Sequence, residues 1–196
     1  MQRVVFYSWQ SDSPNATNRT LIEEALKSAA KSIADDSSID VEPVVDRDTQ
    51  GLAGAPDISK AIFAKIAAAD VFVADISIVG KYREGRFSPN PNVLLELGYA
   101  LKALGEERII LVLNDAYGKP DQLPFDLRAR RVLVYSEALE PKSRGDSRRQ
   151  LASSLKAALR AAFATIQPVD EPSPSLAAMS TYASALLVVP RSIPIA

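Results

Sequence analysis

The amino-acid sequence predicts an α/β domain built on a mainly parallel sheet with helices on both faces. Short continuous apolar runs, such as Val71-Phe72-Val73-Ala74 and Ile109-Ile110-Leu111-Val112-Leu113, read as strands buried on both sides. They alternate along the chain with longer segments of helical periodicity, the pattern of a sheet whose crossovers are helices. In such sheets ligands bind beyond the carboxyl ends of the strands, near a switch in strand order. Tyr7 to Trp9, Asp46 to Asp48, Asp75 and the entry to a helix carrying Glu96 all fall at such ends.

The first strand is Arg3 to Ser8, with Val4-Val5-Phe6-Tyr7 as its apolar run, and it opens into a polar loop holding Trp9, the single tryptophan. A helix follows with Leu21, Ile22, Ala25, Leu26, Ala29 and Ile33 on one face. After a turn at 35–38, residues 39–45 form a weaker strand, placed at an edge by Pro43. The long 46–56 loop carries Gly51 and Gly54. Asp57 is expected to cap a helix whose Ile58, Ile62, Ile66 and Ala69 face the core. Val71 to Asp75 is the clearest strand, and 76–88 reads as a mobile basic loop with Lys81, Arg83 and Arg86. Asn90 and Pro91 suit an N-cap and first helical position. Behind them Val93, Leu97, Ala100, Leu101 and Leu104 make one apolar stripe. Strands at 108–113 and 131–135 and a helix from Ser147, with Leu151, Leu155, Ala158, Leu159, Ala162 and Phe163 inward, complete the domain. Its expected span is 1–166. Residues 167–196, with Pro168, Pro172 and Pro174 near their start, read as a linker or docking tail, or as the beginning of a further domain.

Composition narrows the chemistry. The chain of 196 residues has 47% hydrophobic and 24% charged residues and a formal net charge of −1, which gives no reason to expect nucleic acid as a partner. It contains no cysteine and no histidine. That removes Ser-His-Asp and Cys-His triads and the usual metal ligands, and leaves carboxylates as the catalytic candidates. The N-terminus lacks a signal-peptide layout and no apolar run is long enough to span a bilayer, so a cytoplasmic protein with no membrane partner is the expectation.

Among the carboxylates, Glu96 stands out. It lies between Leu95 and Leu97, in a stretch from Phe87 to Leu101 that has no other charge. A carboxylate in such surroundings must be paired, have a shifted pKa or point into a cleft.

Phe6-Tyr7-Ser8-Trp9, the 46–56 loop, Ala69-Asp70-Val71-Phe72-Val73-Ala74-Asp75 and Asn92-Val93-Leu94-Leu95-Glu96-Leu97-Gly98 together resemble bacterial TIR (Toll/interleukin-1 receptor) domains, especially the predicted nucleotide-binding group of antiphage defence. The resemblance covers residues 3–166. It implies a flavodoxin-like, doubly wound sheet of five parallel strands in the order 2-1-3-4-5. It implies that Glu96 is the catalytic residue of an enzyme cleaving NAD at the nicotinamide–ribose bond. NAD is then the substrate, with no cofactor and no metal. Tyr7 or Trp9 would stack on nicotinamide, Ser8 would contact ribose or carboxamide, and Arg47 would meet the pyrophosphate, more weakly aided by Lys81, Arg83 or Arg86. Asp75 and Asn92 complete the implied substrate-binding set. Many family members carry tryptophan where this chain has Asn92. The 46–56 loop would mediate self-association, and a sensor domain or partner would trigger a latent site. Two alternatives stand beside this reading. Glu96-Leu97-Gly98-Tyr99-Ala100 also resembles the glutamate segment of nucleoside deoxyribosyltransferases, and a TIR-like module can act as a noncatalytic adaptor.

Overall fold

The computed structural model describes residues 1–37, 41–46, 58–83, 86–139 and 144–166. Five strands, β1 (Gln2–Ser8), β2 (Glu42–Asp46), β3 (Val71–Asp75), β6 (Ile109–Asn114) and β7 (Val132–Tyr135), form one sheet in the order β2-β1-β3-β6-β7. Every pairing in it is parallel. Counted within the sheet, this is the expected 2-1-3-4-5 order of a flavodoxin-like, doubly wound fold. The order reverses between β1 and β3, because the chain leaves β1 for β2 on one side and returns to place β3 on the other.

Alternation along the strands divides the interior in two. Val5, Tyr7, Val71, Val73, Ile110 and Val112 pack with helices α1 (Arg19–Ala34) and α5 (Arg144–Thr165). Phe6, Phe72, Ala74, Leu111 and Leu113 face the other way, toward α2 (Ile58–Ala68) and α3 (Pro91–Leu104). Successive strand side chains point to opposite faces, so an unbroken apolar run is what a sheet covered on both sides requires. At the amino ends, Asp70 pins β1 to β3. Its carboxylate accepts from Arg3 Nη1 and from the Val4 N–H, each at 2.7 Å.

Three expectations change. Segment 76–88 is no plain loop: β4 (Gly80–Arg83) and β5 (Arg86–Ser88) form an antiparallel ribbon, and Ile76 and Ile78 before it are buried in the α3-side core. Its strands are short and polar, without the alternation that reveals a longer strand. Ile58, expected on the core face of α2, is 56% exposed at the helix's first position, and Ile66 is the helix's one fully enclosed residue. The connection through Pro120, Pro124 and Phe125 contains short 3-10 turns and a one-turn helix, α4 (Phe125–Arg128). The 47–57 stretch, including most of the 46–56 loop and the Asp57 cap, lies outside the described residues, as does the 167–196 tail. Among the described residues, no helix is long and apolar enough to cross a membrane.

Helix α3 begins as its sequence indicates. Asn90 caps it, its side-chain oxygen accepting from the N–H groups of Asn92 at 2.8 Å and Val93 at 3.3 Å, with Pro91 in the first turn. Val93, Leu97, Ala100 and Leu104 are buried, and Leu101 is partly so. The helix ends at Gly105, whose φ of +82° and ψ of 163° suit glycine alone. Gly98 is different: it sits mid-helix, exposed, and a Cβ there would meet nothing within 4 Å. Gly98→Ala should therefore raise stability by about 0.5–1 kcal/mol, read as a higher urea midpoint at unchanged m-value.

Candidate functional site

A cleft of about 200 Å³ opens at the carboxyl end of β1, lined by Phe6, Tyr7, Ser8, Trp9, Gln10, Ser11, Asn90, Asn92 and Glu96. One wall is the end of β1 and its loop; the other is the amino-terminal half of α3. Its position next to the β1/β3 reversal is where this topology leaves a crevice, because the connections from neighbouring strands diverge there.

Within the cleft Ser8 Oγ donates to Glu96 Oε2 at 2.6 Å. The contact follows from strand geometry. Ser8 continues the Phe6 face of β1, the face covered by α3, and Glu96 lies about 9 Å along that helix from the Asn90 cap at a rise of 1.5 Å per residue. A short bond from a hydroxyl to a carboxylate is among the stronger neutral–ionic contacts and fixes the rotamer of both groups. Ser8 is buried and Glu96 half-buried. One carboxylate oxygen is thus held by the protein in a pocket large enough to admit part of a ligand.

The other expected residues fall into different places. Asn92 lines the cleft from the first turn of α3. Trp9 lines it too, with the Arg19 guanidinium 3.5 Å over its ring centroid. That cation–π contact braces one ring face from the α1 side. Tyr7 is fully buried with the α1 and α5 core, so its ring is not an exposed stacking platform. Burial and, secondarily, the nearby Asp75 push its phenol well above the ordinary tyrosine value. Arg47 lies outside the described residues, as do the side chains of Arg83 and Arg86. Lys81 is exposed on the ribbon and is not among the lining residues.

Asp75 is likewise not a lining group. It is fully buried and accepts from the Ser77 N–H at 3.0 Å, Asn18 Nδ2 at 3.1 Å and Gln10 Nε2 at 3.4 Å. Burial raises its carboxyl above the usual carboxylate range, against the hydrogen bonds from Ser77, Asn18 and Gln10. Asp75, expected in the substrate-binding set, has no exposed surface here and holds the strand ends together.

Asp75 belongs to a buried polar layer that sequence reading missed. Asn18 Nδ2 also donates to Ser77 Oγ at 3.0 Å, and Ser77 Oγ accepts from the Asn114 N–H at 2.8 Å. Asn114 Nδ2 donates to the Glu137 carbonyl at 2.8 Å, and Tyr135 Oη donates to the Thr17 carbonyl at 2.7 Å. These bonds tie the carboxyl ends of β3, β6 and β7 to the start of α1. The available signal was the small polar residues immediately after each apolar run. Gln10 joins this layer to the cleft: its Oε1 accepts from the N–H groups of Asp12 at 2.7 Å and Ser13 at 2.9 Å, shaping the β1 loop.

The fold and this site define a doubly wound parallel α/β domain with a hydroxyl–carboxylate pair in its switch-point cleft. No family model matches the chain, and no curated protein matches it.

Proposed function

We propose that this chain is an NAD-cleaving, TIR-like enzyme that breaks the nicotinamide–ribose bond by hydrolysis or cyclisation, in bacterial immune or stress signalling. The observation that carries the reading is the Ser8–Glu96 bond of 2.6 Å in the cleft beside the β1/β3 reversal. The resemblance to TIR domains supplies the substrate.

The chemistry asks little of a protein without histidine. When the C1′–N1 bond breaks, its electron pair returns to the pyridinium nitrogen and nicotinamide leaves neutral, so no acid is needed. Positive character develops at C1′ and the ring oxygen, and a fixed carboxylate stabilises it. Glu96 supplies that charge, and Ser8 holds the carboxylate in place. In hydrolysis a water oxygen bonds to C1′ and releases its proton to solvent; in cyclisation a ring nitrogen of the substrate's own adenine takes that place. Trp9 offers ring surface to nicotinamide, and Arg47 with the 46–56 loop would meet the pyrophosphate and a second subunit.

A nucleoside-cleaving reading of the deoxyribosyltransferase kind has one observation in its favour. The described cleft, about 200 Å³ and lined by hydroxyl and amide groups among others, is of the size and polarity that suit a nucleoside. The deciding experiment incubates concentrated protein with NAD, and separately with nucleosides plus an acceptor base, and identifies products chromatographically. Nicotinamide release with ADP-ribose or its cyclic form supports the proposal; base exchange alone supports the second reading. Turnover of neither substrate leaves two readings, a site latent until a partner assembles it and an adaptor module.

Ser8→Ala removes the donor to one Glu96 oxygen without adding bulk. It should lower kcat for NAD cleavage about tenfold while KM changes little, because the bond orients the carboxylate rather than the substrate. Steady-state nicotinamide release checks it.

A further inference from the structure

The Ser8–Glu96 bond has a companion nearer solvent that joins the same two walls. Asn90 Nδ2 donates to Asp12 Oδ2 at 2.6 Å. The oxygen of that same amide caps α3 by accepting from Asn92 and Val93. One end of Asn90 therefore serves the helix and the other serves the β1 loop. Asp12 is itself fixed from below. Its N–H donates to Gln10 Oε1, and Gln10 Nε2 donates to Ser13 Oγ at 2.8 Å and to the buried Asp75 at 3.4 Å. A continuous chain of bonds runs from the floor of the sheet to the amino end of α3.

We propose that Asp12 and Asn90 are a pair of positioning residues that hold the amino end of α3 against the β1 loop and so keep the Glu96 carboxylate in register with Ser8. The proposal rests on the reading of Glu96 as the catalytic carboxylate. Helix α3 is anchored by the burial of Leu97, Ala100 and Leu104, all carboxyl-terminal to Glu96. On the other side of Glu96, Val93 is buried, and the Asp12–Asn90 bond restrains the first turn sideways. With that restraint gone the first turn shifts about Val93 and Leu97, the buried residues on either side of Glu96, and the Glu96 side chain turns with it. A displacement of 1 Å at a reacting centre can cost up to about 10²-fold in rate. The bond is solvent-exposed, so its loss weighs lightly on stability.

The test separates capping from positioning. Asn90→Asp retains an oxygen to cap the helix, and aspartate is as good an N-cap as asparagine. It removes the donor to Asp12 and sets two carboxylates face to face. N90D should melt near the wild-type temperature yet lose about tenfold in kcat for NAD cleavage, with KM little changed. The exchange D12N/N90D restores a donor and an acceptor in reversed order and should return kcat to within about twofold of wild type. Wild-type kcat in N90D, or a loss that the exchange does not recover, overturns the proposal. The Glu96 carboxyl carbon signal in NMR provides a readout independent of turnover. It should move in N90D and return in the exchanged protein. If it does so while wild type cleaves no NAD, positioning stands and the catalytic reading falls. A signal unmoved in N90D overturns the positioning role whatever the activity.

Discussion

Glu96→Gln should reduce nicotinamide release from NAD by about 10²–10³-fold or more, with the fold intact. Glutamine has the shape of glutamate and keeps an amide oxygen that can accept the Ser8 hydroxyl, so the 2.6 Å contact has a neutral replacement. What it lacks is the negative charge. Charge matters here because C1′ becomes cationic only as the bond to nicotinamide breaks, so the carboxylate stabilises the transition state more than the bound substrate. The expected signature is a fall in kcat with KM nearly unchanged, and a melting temperature close to wild type because Glu96 is only half-buried. The contrast with Ser8→Ala is informative: loss of orientation costs about tenfold, loss of charge far more. A folded Glu96→Gln protein that still releases nicotinamide at the wild-type rate would remove Glu96 from the chemistry.

The sheet was legible because it is buried on both faces. Val71 to Ala74 and the run before Asn114 are apolar at every position, as strands covered on both faces require. The cap of α3 was legible because Asn90 and Pro91 satisfy local backbone needs that do not depend on the rest of the fold. Glu96 could be singled out by its apolar flanks. Its partner could not, since Ser8 lies 88 positions away and meets it only through the register of β1 against α3. The same limit hid the roles of Gln10, Asn18, Ser77 and Asn114. Each is an unremarkable polar residue in sequence, and only the convergence of three strand ends makes them one network. Tyr7, for which the resemblance implies a stacking role, borders the cleft, but strand alternation turns its buried ring into the α1-side core.

Asp75 should govern stability rather than substrate affinity. Asp75→Ala leaves the Ser77 N–H without its acceptor, weakens the anchorage of Asn18 and Gln10, and opens a hole in a fully buried layer. The expected loss is on the order of 3 kcal/mol, read from urea unfolding. Asp75→Asn is gentler in shape but turns one acceptor oxygen into a donor facing other donors, for a cost of about 1–2 kcal/mol. The pH dependence tests the cause. In the unfolded chain the carboxyl titrates near 3.8, whereas burial raises it in the folded protein. Between those values the folded state binds more protons, so the contribution of Asp75 to stability is full below pH 3.8 and declines as pH rises through the folded value. The gap in unfolding free energy between wild type and Asp75→Asn should therefore be widest at acid pH and narrow toward neutrality. Measuring both proteins at each pH cancels the other carboxylates. A gap that widens with pH would mean that the donors from Ser77, Asn18 and Gln10 outweigh burial and hold Asp75 as a low-pKa carboxylate. The β1 loop would then hang on an ionic anchor, and acid would loosen the cleft by releasing Gln10.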